Sequence, residues 1–367
     1  MTDNECTTWL DKLDERMNID IDWMDPGYIG SLPKKPYDQT SNQLWLGIQL
    51  THESNEELLK ATAKELKSEG WLVIYTRMAT LLCQKNLDLI QGRVLVQTLP
   101  SQAYNMERTL EHARLYDREF QRLGIPRTRF AIKIISTGPG VNAARILQQE
   151  GISTLGTAVF SVQQAIACSQ ANCLYISPYY NEVRSHTDPS LWPDVEDPAT
   201  QHPFSNRIVQ MLEAFKQLYE ATGQDQPLIK NCAFRSLKEV IATAEFGCHS
   251  ATVSPTMFDE LSSTSYDKSL DIGAVTLKAK REGSRASAVS TPTRLQHLLQ
   301  SDPLTGNGFT QVSTKVDYLA SNGAALEMAL SADPAGSTRL NDAIALFISA
   351  ENASKEHIEG LMSSSVL

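Results

Sequence analysis

From residue 18 to residue 255, short runs of β-branched and apolar residues alternate with stretches whose apolar residues recur every three or four positions. The runs NIDID (18 to 22), PYDQTSN (36 to 42), GRVLVQTL (92 to 99) and RFAIKIIS (129 to 136) supply the first four strand candidates. STLGTAVF (153 to 160), CLYISPYY (173 to 180), PLIKNCAF (227 to 234) and HSATVSP (249 to 255) supply four more. Helices are expected between 44 and 90 and over MERTLEHARLYDREFQRLG (106 to 124), VNAARILQQEG (141 to 151) and VQQAIACSQA (162 to 171). Near-continuous apolar strands separated by helices predict a parallel sheet covered on its outside. Eight such units predict an α/β protein with the (β/α)8 TIM-barrel architecture. An open doubly wound sheet is the rival, and no GxGxxG follows any strand to support its nucleotide-binding form.

The alternation stops near 262. A Ser-, Thr-, Gly- and Pro-rich connector covers 281 to 312, and helices are expected at 314 to 331 and 337 to 362. The reading is therefore a catalytic barrel over 1–262, with 263–367 as irregular connector and C-terminal helices packed on it. Residues 183 to 204 form a Pro-, Asp- and His-rich loop after the sixth strand, on the face where barrels carry their sites. His186 and His202, both in that loop, are expected to be exposed.

Composition narrows the function. The 367 residues carry a net charge of −10, against the basic surface of a nucleic-acid binder. The N-terminus is polar and lacks a secretory h-region, and no run of 18 apolar residues predicts a membrane span. The six cysteines form no CxxC and read as buried, reduced thiols of a cytoplasmic protein, Cys232 among them. The seven histidines show no metal-ligand spacing, so no metal is expected.

One residue stands against its surroundings. In FAIKIISTGPG (130 to 140), Lys133 lies among isoleucines. Strand alternation puts Ala131, Lys133 and Ile135 on one face and Phe130, Ile132 and Ile134 on the other, so Lys133 is expected inside the barrel. A buried amine loses hydration, its pKa falls, and the neutral nucleophile needed for a Schiff base becomes available. The plain alternative is a strand-end lysine with its ammonium in solvent. The GPG that follows could present backbone N–H groups to an anion, or simply make a tight strand-to-helix turn.

DWMDP (22 to 26), DQTSN (38 to 42), GRVLVQT (92 to 98), FAIKIIST (130 to 137), TAVFS (157 to 161), YISPYY (175 to 180), AFRSLKEV (233 to 240) and ATVSPTMFDEL (251 to 261) occur in one order. In that order they resemble the transaldolase family of class I Schiff-base aldolases, over roughly residues 10 to 262. The resemblance implies that Lys133 forms the Schiff base, that Asp22 is the acid/base carboxylate, and that Thr157 holds the catalytic water. It implies substrate contacts from Asn42 and Ser177 and a phosphate grip from Arg235. It also implies pentose-phosphate-type carbohydrate metabolism on a sugar or sugar phosphate, without a cofactor, because the iminium is the electron sink. A homodimer is the assembly considered. Taken without the resemblance, Asp22 reads as a helix N-cap and Arg235 as a surface arginine at a helix start.

The departures are specific. Gln97 stands where the family has a glutamate, and Tyr179 where it often has phenylalanine; both resemble the fructose-6-phosphate aldolase branch. Asn181-Glu182 replaces a Gly-Arg phosphate contact, and Glu182 would repel a phosphate, with Arg184 the candidate substitute. Leu155 replaces an asparagine that contacts the sugar. Four readings follow: a transaldolase, an aldolase releasing dihydroxyacetone, a Schiff-base C–C lyase or ligase on an unphosphorylated compound in specialised metabolism, and a non-catalytic binding paralogue.

Overall fold

The computed structural model describes residues 7–271, 290–306 and 308–363. Eight parallel strands close into a barrel in chain order: β1 (Asn18–Asp22), β2 (Gln39–Thr40), β3 (Val94–Gln97), β4 (Phe130–Ile135), β5 (Thr154–Val159), β6 (Tyr175–Pro178), β7 (Leu228–Asn231) and β8 (Ser250–Val253). β8 pairs back onto β1 from Asn18 opposite Ser250 to Ile21 opposite Val253, which closes the cylinder. All eight expected strands are present, and closure rules out the open sheet.

The faces of β4 follow the alternation from Phe130 to Ile134, whereas Ile135, expected on the face of Lys133, belongs to the large apolar cluster. Phe130, Ile132 and Ile134 join the large apolar layer between the strands and the outer helices. There Phe130 stacks on Phe120 of the helix Met106–Arg122, with ring centroids 4.3 Å apart. Burying each such side chain contributes about 1.5–3 kcal/mol. Leu95, Ala131, Leu155 and Tyr175 point inward and form a separate apolar floor inside the barrel. Lys133, two residues beyond Ala131, sits one interior layer nearer the C-terminal mouth.

Helix starts follow local hydrogen-bond chemistry. The Thr137 hydroxyl accepts from Gly140 N, so the helix after β4 begins at Gly138 rather than near 141. The helix expected from 314 is found over Ala320–Ser331, but Ser321, Asn322 and Gly323 are left-handed, so regular helix runs only beyond Gly323; before it the Asp317 carboxylate accepts from the N–H groups of Leu319 and Ala320. The described part of the 281 to 312 connector contains a 3-10 stretch, Thr293–Gln300; the rest of that connector lies outside the described residues.

The C-terminal helix Pro334–Ser363 packs against the helices Gln43–Thr51, Glu56–Glu65 and Trp71–Asn86. It ties to the loops at the barrel mouth. Glu351 accepts from Ser101 N at 3.1 Å and from Ser101 Oγ at 2.5 Å, after β3. Arg339 pairs with Glu182 at 2.8 Å, after β6. Among the described residues no helix is long and apolar enough to cross a membrane, and no group of side chains is arranged to hold a metal ion.

Candidate active site

The C-terminal ends of the strands and the C-terminal helix enclose a cavity of about 700 Å³. Asp22, Asn42, Lys133, Ser177, Tyr179, Arg184 and Arg235 line it, so seven of the nine expected site residues converge. Gln97 and Thr157 are buried behind the wall.

Lys133 is 5% exposed, and its ammonium donates to Thr40 Oγ1 at 2.8 Å. Burial lowers its pKa, opposed by the charge of Asp22. A second buried lysine shows what a different setting does. Lys230 lies 2.9 Å from Asp20 and 2.8 Å from Asp38, with the Tyr175 ring centroid 4.4 Å away. There the carboxylates outweigh burial and hold the ammonium well above its ordinary value. Both lysines are desolvated, but Lys133, unlike Lys230, has no carboxylate at hydrogen-bonding distance among the described residues. It is the amine placed to lose its proton.

Asp22 does not cap a helix; Asp25 does, by accepting from Gly27 N at 2.8 Å. Burial raises the Asp22 carboxyl above its ordinary range, against the pull of Lys133. Trp45 leans toward it without completing a hydrogen bond, and Asp22 Oδ1 has no protein partner among the described residues. The carboxyl is thus shifted toward neutrality while keeping an oxygen free for a ligand or water.

The Tyr179 phenol and the Thr157 hydroxyl share a hydrogen bond of 3.2 Å. Burial raises Tyr179 far above its ordinary pKa, so it stays a proton-bearing donor. Thr157 reaches the cavity through that phenol. Ala158 next to it is left-handed, with φ 54°, and so is Ala233 on the β7 side, with φ 62°. Such strain in non-glycine residues tends to collect where the backbone positions a site.

Asn42 does two jobs. Its Oδ1 caps the helix Gln43–Thr51, accepting from Leu44 N at 2.9 Å and Trp45 N at 3.3 Å, while the residue still faces the cavity. Gln97 is committed elsewhere: its Nε2 donates to Gln43 Oε1 at 2.7 Å, which leaves Gln97 Oε1 without a partner among the described residues. Leu155, in the asparagine position, belongs to the dry floor.

At the outer end, the Arg235 guanidinium lies 5.4 Å from the Trp192 ring centroid, and its Nε has no hydrogen-bond partner among the described residues. Glu239 organises this corner, accepting from Arg235 N, Trp192 Nε1 and Asn181 Nδ2 at 2.6 to 2.8 Å. Arg235 is therefore anchored at the cavity wall and is no loose surface arginine. Glu182 turns away to Arg339, so the repulsion expected of it does not operate in the cavity. Arg184 faces the cavity but pairs with Asp342 at 3.5 Å.

Two further expectations are corrected, and the GPG alternatives are separated. His202 is buried at 2% exposure, its ring stacked on Tyr180 and bonded to Asn181 Oδ1, whereas His186 is exposed as expected. Cys232 lines the cavity instead of lying wholly in the core; Cys6 lies outside the described residues. The N–H of Gly138 is already taken by the Glu327 carboxylate at 2.6 Å, so the GPG turn offers that donor to the chain's own anion.

Sequence reasoning missed Thr40, Trp45, Thr252, Glu260, Asp342, Leu346 and Phe347. Thr40 lies within the quoted DQTSN and was the accessible signal. Asp342, Leu346 and Phe347 come from a helix some 200 residues beyond Lys133, with no motif to mark them.

Fold and site together define a closed (β/α)8 barrel carrying a desolvated lysine at its C-terminal mouth. A sequence model of the Transaldolase/Fructose-6-phosphate aldolase family matches residues 36–300, and the chain belongs to that family. A transaldolase of Gloeobacter violaceus is 28% identical over 262 residues, covering 69% of this chain and 65% of that protein. A transaldolase of Synechocystis sp. is 29% identical over 244 residues, covering 63% and 59%. The aligned region thus spans less than two thirds of either relative's length. Among solved structures, an IMP dehydrogenase/GMP reductase-like protein from Corynebacterium glutamicum overlaps with a TM-score of 0.43 at 10% identity, covering 71% of this chain and 72% of that one. That overlap is too loose to carry an argument.

Proposed function

We propose that this protein is a transaldolase-type enzyme that captures a ketose, phosphorylated or not, as a Schiff base on Lys133. The proposal extends to moving a dihydroxyacetone unit to an aldose acceptor. The observation that carries it is a desolvated lysine that, among the described residues, has no carboxylate at hydrogen-bonding distance and shares its cavity with a carboxyl whose Oδ1 is unpartnered.

Neutral Lys133 adds to the C2 carbonyl, and the carbinolamine loses water as a proton arrives from Asp22 or Tyr179. Asp22 then removes the proton of the C4 hydroxyl. The C3–C4 bond breaks, its electron pair passes into the iminium to give an enamine, and the aldehyde leaves. Attack of the enamine on an acceptor aldehyde, followed by hydrolysis, completes transfer; protonation and hydrolysis of the enamine completes release. Thr157 positions Tyr179, while Asn42, Ser177 and Arg235 hold substrate oxygens, with Arg184 beside them. The reaction needs no cofactor or metal, because the imine nitrogen accepts the electrons. Residues 1–262 act as the catalytic barrel and 263–367 as the connector and helices that complete it. A cytoplasmic role in pentose-phosphate-type metabolism accompanies this reading, with no nucleic-acid or membrane partner and with a homodimer as the assembly to test.

Tyr179 and Gln97 favour a second reading, release of free dihydroxyacetone. Glyceraldehyde 3-phosphate formation from fructose 6-phosphate, measured with and without erythrose 4-phosphate, separates the two. Lys133→Met should remove both activities by at least about 10³-fold. Retention of a tenth of either activity would overturn the lysine assignment.

A further inference from the structure

The cavity is built for more than a short polyol. Its volume of about 700 Å³ lies in the upper part of the range occupied by drug-sized ligands. Besides the polar groups around Lys133, its walls include Leu44, Trp45, Phe234, Met257, Leu346 and Phe347. These come from the segments after β2, β7 and β8 and from the C-terminal helix. Leu346 lines the cavity and is 37% exposed with respect to the described residues, an apolar surface left partly uncovered.

The charges disfavour a phosphate in the same space. Arg184 pairs with Asp342, and Glu260 joins Asp22 and Asp342 as a third carboxyl group in the wall. A dianion would meet Arg235, whose Nε has no hydrogen-bond partner among the described residues, in a cavity that also holds Asp22, Asp342 and Glu260.

We propose that, beyond an aldose, the cavity takes as acceptor an unphosphorylated aldehyde with an apolar aliphatic or aryl body, and that this body packs on the apolar wall to which Trp45, Phe234 and Leu346 contribute. This rests on the imine reading of Lys133. Dihydroxyacetone condenses with Lys133, losing water, and the iminium loses a C3 proton to give the enamine. The enamine carbon forms a C–C bond to the aldehyde carbon, and the aldehyde oxygen takes a proton. Water then hydrolyses the iminium, so that dihydroxyacetone and RCHO become one ketose with no oxidant or reductant. Arg235 holds a hydroxyl of that product.

The test uses the full chain, dihydroxyacetone as donor and a series of acceptors: propanal, pentanal, heptanal and glyceraldehyde 3-phosphate. Ketose product is read by mass spectrometry, and the borohydride adduct on Lys133 is read in parallel. The acceptor kcat/KM should rise about fourfold per methylene, the ratio expected from apolar burial. Leu346→Glu should flatten that slope, and Met257→Gln should do so from the helix after β8; a general folding defect would lower every acceptor equally. A flat or falling slope, or preference for glyceraldehyde 3-phosphate over heptanal, overturns the apolar acceptor while the Lys133 adduct leaves the imine reading standing. An adduct with fructose 6-phosphate but none with dihydroxyacetone also overturns it. No adduct with either donor defeats the imine reading itself.

Discussion

Replacing Lys230 by methionine removes the cation from a fully buried triad and leaves Asp20 and Asp38 facing each other without a counter-charge. Lys230 Nζ sits 2.9 Å and 2.8 Å from their oxygens and 3.2 Å from Ser250 Oγ, and all three charged side chains are inaccessible to solvent. Breaking one partner out of a buried ion pair costs about 3–5 kcal/mol, because the remaining charge keeps its desolvation penalty. Asp20 is already held above the ordinary carboxylate range by burial, with Lys230 pulling the other way. Without the lysine its pKa rises further. A carboxyl with a higher pKa folded than unfolded binds a proton on folding. Its cost is therefore full above the folded pKa and fades as pH falls toward the unfolded value near 4. Urea unfolding should show Lys230→Met destabilised by about 3–5 kcal/mol at pH 8 and by clearly less at pH 5. Adding Asp20→Asn and Asp38→Asn should recover a large part of the loss. A loss below about 1 kcal/mol, or one equal at both pH values, would refute the view of Lys230 as a structural cation.

Other outcomes follow from the same geometry. Asp22→Asn removes the anion that favours the Lys133 ammonium, so the pH midpoint for trapping or methylating Lys133, followed by peptide mass spectrometry, should move down; an upward move would contradict the pairing. Gln97→Glu places a carboxyl against Gln43 Oε1, which cannot donate, so thermal stability should fall by about 1–3 kcal/mol at neutral pH and partly return in acid. If that variant instead suppressed release and raised transfer without loss of stability, Gln97 would be the catalytic switch. Gly323→Ala puts a Cβ 2.2 Å from Gly138 Cα at a residue with φ +85°, and should cost about 2 kcal/mol or more in a denaturation assay.

The barrel was legible because each strand announces itself locally, through β-branched runs bounded by turns and amphipathic helices. Even β2, only two residues long, came through from its flanking sequence. Lys133 was legible for the same reason, as a cation among isoleucines. Yet Lys230 follows Ile229 in a near-identical pattern and does the opposite job. Its partners Asp20 and Asp38 arrive from the other end of the chain, and strand-local pattern carries no record of them. His202 was misjudged similarly, since loop composition does not reveal that Tyr180 stacks on it. The amphipathic C-terminal helix was visible, but that its Asp342 and Leu346 face a cavity depends on where the helix docks, which amphipathicity alone does not specify.

The most direct measurement of the central claim is reduction with borohydride in the presence of a ketose, followed by peptide mapping. Two buried lysines make it discriminating: the account predicts a dihydroxyacetone-derived adduct on Lys133, with Lys230 unmodified. An adduct on any other lysine, or none with any donor, would contradict it.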